Sequence, residues 1–281
     1  MEQQPAPLFD RRAWRLHRDR AARHRADFLH REIAARLIDR LDLVNRQFGR
    51  VLDLGARDGT LSRLLSERPG IIQVVAAEPS AALVAAAPVP RVVADPELVP
   101  FRDASFDLVA SCLALHWCAD LPGALVQIRR ALKPDGLLLA ALFGGSTLVE
   151  LRTALFEAEL AEEGGVSPRV SPTVELSDAA ALLQRAGLAM PVADSETIAV
   201  TYPDIVALMH DLRGMGESNA LTARRPFLRR ATLTRAGAIY AERFATQDGR
   251  IAATFEVLFL AGWAPHPDHA KPRPGLRRRI A

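Results

Sequence analysis

At 281 residues, 49% of them hydrophobic and 25% charged, the chain is long enough for one large α/β domain and too apolar to be a disordered one. Its formal charge of +3, from 36 basic and 33 acidic side chains, gives no footing for nucleic acid. Two cysteines cannot frame a secreted disulfide scaffold, no apolar run is long enough to cross a bilayer, and the N-terminus lacks a signal peptide's apolar core. Cys112 and Cys118 are therefore expected to be buried, reduced thiols in a cytoplasmic protein.

From Trp14 to Leu43 the pattern is helical, with Leu29, Ile33, Leu37 and Leu41 on one stripe. Arg11, Arg12, Arg15, Arg18, Arg20, Arg23 and Arg25 read as a solvated face, with a basic arm that covers a site as the sharper alternative. This arm is Arg-rich like a mitochondrial transit peptide but carries Asp10, Asp19, Asp27 and Glu32, which such peptides avoid. Residues 50–55 read as a buried strand, 60–68 as a helix, 71–78 as a second strand, 91–95 as a third and 106–111 as a fourth. A helix over 121–132 ends at the turn Lys133-Pro134-Asp135-Gly136, and a fifth strand follows over 137–143. Beyond it come a helix over 148–163, another capped by Ser177 and stopped at Gly187, and strands over 192–202 and 253–262. Apolar strands alternating with helices predict an α/β, Rossmann-like fold: a mostly parallel sheet covered on both faces, with ligands beyond the strands' carboxyl ends.

The candidate cofactor residues sit at those ends. The loop Asp53-Leu54-Gly55-Ala56-Arg57-Asp58-Gly59 follows the first strand, its glycines suited to close backbone approach and helix packing. Glu78 ends the second strand, where an acid can accept both hydroxyls of a ribose. Asp95 ends the third, placed for an adenine amino group, and Ser111 ends the fourth. There is no GxxxxGK[ST] and no GxGxxG, so an adenosyl group without phosphates fits better than ATP or NAD. His116, beside Trp117, is a candidate general base, with a packing role as the plainer reading. Glu217, Ser218 and Asn219, after Gly214 and Gly216, suit a lid or substrate-contact loop. The pairs His17/His24 and His266/His269 lack further ligands, so no metal is expected.

Val51-Leu52-Asp53-Leu54-Gly55, Asp95 with Leu98-Val99-Pro100-Phe101, Phe106-Asp107-Leu108-Val109, Leu115-His116-Trp117 and Leu132-Lys133-Pro134-Asp135-Gly136 resemble the class I S-adenosylmethionine (SAM) methyltransferases. The His-Trp pair resembles the malonyl-carrier-protein methyltransferases of biotin synthesis and their relatives. Phe9-Asp10-Arg11, Phe143-Gly144-Gly145, Glu163-Gly164-Gly165, Ser167-Pro168, Ser171-Pro172 and above all the run from Asp211 to Asn219 resemble the respiratory complex I assembly factor 5 family over nearly the whole chain. That resemblance implies SAM as cofactor and a protein substrate, an arginine of a complex I subunit that is methylated or hydroxylated during assembly. The alternatives are carboxyl methylation of a carrier-bound acid and a non-catalytic assembly chaperone. The chain is expected to divide into an N-terminal Arg-rich arm over 1–45, a methyltransferase-like domain over 46–264 with a cofactor half (46–145) and a substrate or lid half (146–264), and a loose tail over 265–281. Membrane contact, at the inner membrane, would be peripheral and through the arm. One departure stands inside the first loop, where the superfamily usually has glycine and this chain has Arg57. Arg57 either grips the methionine carboxylate, weakens SAM binding, or points to solvent.

Overall fold

The computed structural model describes residues 7–23, 26–225 and 227–266. His24, Arg25, His269 and most of the 265–281 tail lie outside them. Seven strands form one sheet: β1 (Arg50–Leu54), β2 (Gln73–Glu78), β3 (Arg91–Val93), β4 (Phe106–Cys112), β5 (Leu132–Phe143), β6 (Ala189–Tyr202) and β7 (Ile251–Trp263). Their order is β3-β2-β1-β4-β5-β7-β6. Strands β1 to β5 run parallel, whereas β7 is antiparallel to both β5 and β6.

The period of two explains how the sheet is covered. On β5, Leu137, Leu139, Ala141 and Phe143 face one layer, and Leu138, Ala140 and Leu142 face the other. The first layer holds α2 (Phe28–Asp42), α3 (Thr60–Ser66), α6 (Val149–Glu163), α8 (Ile205–Met215) and α9 (Arg230–Phe244). The second holds α5 (Leu121–Ala131) and α7 (Leu176–Arg185). The short α4 (Ala81–Val84) follows β2. The stripe Leu29, Ile33, Leu37 and Leu41 is buried as its spacing predicts. Arg36 and Arg40, on the same helix, pair with Glu196 on β6, which fastens α2 to the sheet's edge.

Three expectations change. The single helix over 14–43 is two, α1 (Arg11–Ala21) and α2, with Asp10 capping the first through the Ala13 N–H. The turn at Lys133–Gly136 lies inside β5, where the register with β4 slips between Phe106 and Leu108. Ser177 falls within the first turn of α7, and Glu175 occupies the cap position instead. No helix among the described residues is long and apolar enough to cross a membrane.

Gly59 sets the distance between the first loop and the end of α4. Its φ is +79°, and an added Cβ would lie 2.6 Å from Ala87 Cα, a backbone atom that cannot swing aside. Left-handed strain and overpacking together put the cost of Gly59→Ala at about 2–4 kcal/mol. Urea denaturation should show that loss, and a change under half a kilocalorie would mean the contact relaxes.

Candidate functional site

The first loop is shaped by packing. Gly55 has φ +78°, and a Cβ there would stand 2.1 Å from the Ala114 Cβ. The chain after β4 is therefore one neighbour that demands glycine here. Asp53 is fully buried at the end of β1, where its Oδ2 accepts the Ser62 hydroxyl at 2.6 Å and its Oδ1 has no partner among the described residues. Ser111 is buried too, and its hydroxyl is used on the Leu54 carbonyl of β1 at 2.7 Å. The hydroxyl thereby clasps β4 to β1.

Arg57 adopts the left-handed conformation that its glycine-like position implies, with φ +52°. Its side chain is buried, which overturns the solvent-facing reading. The guanidinium donates to the carbonyls of Ala26 at 3.0 Å and Gly214 at 3.3 Å, and it also meets Asp58 at 3.4 Å. Burial lowers its pKa, which Asp58 partly opposes. Arg57 thus joins the cofactor loop to the start of α2 and the end of α8.

Glu78 and Asp95 stand where the sequence placed them, and α1 has reached both. Glu78 is completely buried and accepts Arg18 Nε and Nη2, each at 2.7 Å, the Arg57 N–H at 3.0 Å and the Ser80 N–H at 3.1 Å. Burial would lower the Arg18 pKa, but the Glu78 charge prevails and holds the guanidinium protonated. Asp95 accepts Arg11 Nε at 3.0 Å and a second short bond from Arg11 Nη2, while Arg11 Nη1 donates to the Trp117 carbonyl at 2.7 Å. Between the two arginines lies Trp14, with the guanidinium carbons 4.1 and 5.4 Å from its ring centre. Nearby, the space bounded by His30, Gly55, Arg57 and Cys112 is only about 10 Å³. Burial pushes the Cys112 thiol well above its ordinary pKa, as suits an inert thiol.

His116 and Glu217, 101 residues apart in sequence, meet. A 3₁₀ turn over Leu115–Trp117 presents His116 Nε2 at 3.1 Å and Trp117 Nε1 at 3.0 Å to the same oxygen, Glu217 Oε2. His116 Nδ1 and Glu217 Oε1 are buried and without partners among the described residues. Gly216 ends α8 with φ +85°, which turns Glu217 back towards the sheet. The pair lines a cavity of about 410 Å³ with an apolar floor that includes Phe143, Leu151, Leu155 and Phe255. Arginines stand around it: Arg169 and Arg225 are paired with Glu159 and Glu163, Arg224 with Asp10, whereas Arg20 and Arg213 have no ion-pair partner among the described residues.

Sequence reasoning put Arg11 and Arg18 on a solvated face, with a site-covering arm only as the alternative, and gave Trp14 no role in the site. Their spacing of three and four places them on one side of α1, and a tryptophan between two arginines was the available signal.

The matched family model is a methyltransferase domain, over residues 52–140. The chain is 40% identical over 273 residues to the protein named arginine-hydroxylase NDUFAF5, mitochondrial, of Danio rerio, covering 94% of this chain and 85% of that one. It is 37% identical over 269 residues to a malonyl-[acyl-carrier protein] O-methyltransferase of Halorhodospira halophila, covering 92% and 89%. The solved structure of YcgJ from Bacillus subtilis shares the fold, with a TM-score of 0.58 at 17% identity, over 82% of this chain and 98% of that one.

Asp53 gives the site a pH signature. Burial raises its pKa from 3.8 to about 7, against the opposing Ser62 hydrogen bond. A carboxyl whose folded pKa lies above its unfolded one favours folding at low pH, and that contribution is lost as pH rises from about 4 through about 7. The loss is of the order of 4 kcal/mol at most. Asp53→Asn should remove this slope, so that the variant gains on the native protein in denaturation midpoint between pH 5 and pH 8. Parallel curves for the two would show that Asp53 does not titrate in this range.

Proposed function

Because this chain belongs to the methyltransferase-domain family that joins the arginine-hydroxylases named NDUFAF5 to the malonyl-acyl-carrier-protein O-methyltransferases, we propose that it binds SAM and modifies an arginine of a protein substrate, a respiratory complex I subunit during assembly. The observation that carries this reading is Glu217. Its carboxylate lines the cavity of about 410 Å³ with one oxygen held by His116 and Trp117 and the other buried without a partner among the described residues. A buried carboxylate fixed by two donors is a receptor for a guanidinium, since the two planar groups match through paired N–H···O bonds.

Glu78 and Asp95 suit the ribose hydroxyls and adenine amine of SAM in kind, as acceptors at the ends of β2 and just beyond β3. When bound, SAM supplies an electrophilic methyl group. The residues of the chain position and desolvate the acceptor: the Phe143 and Phe255 floor excludes water, Glu217 orients the guanidinium, and His116 is placed to hold or pass a proton through Nε2. The arm's outer arginines, Arg12 and Arg15, suit a peripheral contact with an acidic surface.

A second reading has its own support. Arg20 and Arg213, without an ion-pair partner among the described residues and lining the same cavity, suit an acidic acceptor, as in carboxyl methylation of a carrier-bound acid. Intact masses of complex I subunits from a deletion strain separate the readings. Loss of one oxygen's mass from one subunit indicates hydroxylation, and loss of one methylene's mass indicates methylation. An unchanged set of masses with assembly lost would sink the arginine reading in favour of a chaperone, and biotin auxotrophy would favour the carrier. Glu217→Gln should abolish the mass change while SAM affinity stays within about threefold, because its effect falls on acceptor orientation. A subunit still fully modified by that variant would remove Glu217 from the site.

A further inference from the structure

Helix α1 satisfies both acids that the cofactor would use. Arg18 gives Glu78 two parallel hydrogen bonds, in the manner two ribose hydroxyls would, and Arg11 gives Asp95 the donors an adenine amine would. Trp14 lies as a flat ring between them, 5.8 Å from the Trp117 ring. Asp19, further along the helix, accepts the hydroxyl of Ser80 at 2.5 Å, just beyond Glu78. Glu78 has no room for a second set of donors, since the Arg18–Glu78 pair is 1% and 0% exposed, whereas Asp95 keeps part of its carboxylate in solvent.

The arm is also joined to the acceptor cavity. The Asp10 N–H donates to the Ala220 carbonyl, the Thr222 N–H to the Leu8 carbonyl, and Arg224 pairs with Asp10. His17 Nδ1 meets the Ser218 carbonyl at 3.1 Å, and Gly216 packs on Arg18 and Ala21. Phe9, Trp14, Trp117, Ala220 and Leu221 form a small core of their own. The segment that carries Glu217 is thus packed against the arm on its N-terminal side, at Gly216, and hydrogen-bonded to it from Ser218 onward.

We propose that α1 is a built-in competitor of the cofactor: Arg18 and Arg11 hold Glu78 and Asp95 until an adenosyl ligand displaces them, and the displaced arm carries the Glu217 segment with it, so that cofactor binding and opening of the acceptor cavity are one motion. This rests on the reading of Glu78 and Asp95 as cofactor acids. A ligand that binds only the open form has its affinity reduced by the fraction of molecules that are open, so weakening the arm strengthens binding.

Calorimetry with SAM on the full chain tests it, alongside Arg11→Ala, whose partner Asp95 is partly exposed and stays solvated, and Arg18→Ala. Arg11→Ala should bind SAM about tenfold more tightly than the native protein. Saturating SAM should speed tryptic cleavage after Arg12 and Arg15 and shift the Trp14 emission to the red. Arg18→Ala strands a buried carboxylate, so if it fails to fold the Arg11 variant and the proteolysis decide. Equal or weaker binding by Arg11→Ala, or protection of the arm by SAM, overturns the competition and leaves α1 as a lid closed over the cofactor. Binding only once an arginine is removed supports it most strongly. No binding by any of the three at millimolar SAM overturns both the competition and the SAM reading beneath it.

Discussion

The ion pair between Arg18 and Glu78 is the contact on which the rest of the site depends. Neither side chain reaches solvent, and removing two charges from water costs several kilocalories per mole unless each polar atom is met. Glu78 meets that condition with four donors: two from Arg18 and the backbone N–H groups of Arg57 and Ser80. Arg18 does not quite meet it, since its Nη1 has no partner among the described residues. Removing either member alone leaves a buried charge, a loss of about 3–5 kcal/mol in comparable pairs. The pair therefore fixes α1 against the ends of β2 and β3, and through α1 it fixes Trp14 on Trp117 and the backbone of Gly216.

Arg57 extends the same logic across the cleft. A left-handed arginine costs roughly 1–2 kcal/mol relative to glycine. Its N–H becomes one of the four donors on Glu78, and its guanidinium binds the Gly214 carbonyl in the last turn of α8. Carbonyls of a final helical turn lack intrahelical partners and carry the negative end of the helix dipole, so a buried cation is well placed there. With Ala26 as its third anchor, one residue holds the first loop, the start of α2 and the end of α8 in register. Arg57 thus trades the backbone freedom a glycine would have here for a three-way tie.

Much of this was legible in the sequence, for reasons that are local. Strands buried on both faces read as apolar runs, and the acids Glu78 and Asp95 stand out because they interrupt those runs at their ends. What the sequence hid was long-range. Gly55 is required by Ala114, Ser111 spends its hydroxyl on Leu54, and His116 finds Glu217 across 101 residues. The arm hid itself differently. Arginines crowd α1, and composition cannot tell Arg12, in solvent, from Arg18, in the core. Only the helical period does so, because Arg18 shares the face of Trp14 and Ala21.

The two readings of the acceptor bring its charge to different groups lining one cavity. At the floor, Glu217 is an anion held by His116 and Trp117, and an acidic acceptor brought there would meet like charge where little water screens it. At the rim, Arg20 and Arg213 would repel a guanidinium on its way in but hold a carboxylate well. An arginine side chain reconciles both, because it is long enough to pass the rim as a hydrocarbon stem and deliver its charge to the floor. An acidic neighbour in the same segment would then fall to the rim arginines. A carrier-bound acid has no such division: its carboxylate would seek Arg20 and Arg213 and be repelled by Glu217. On the charges the cavity presents, the floor therefore favours a cationic acceptor, and the rim favours one set among acidic neighbours.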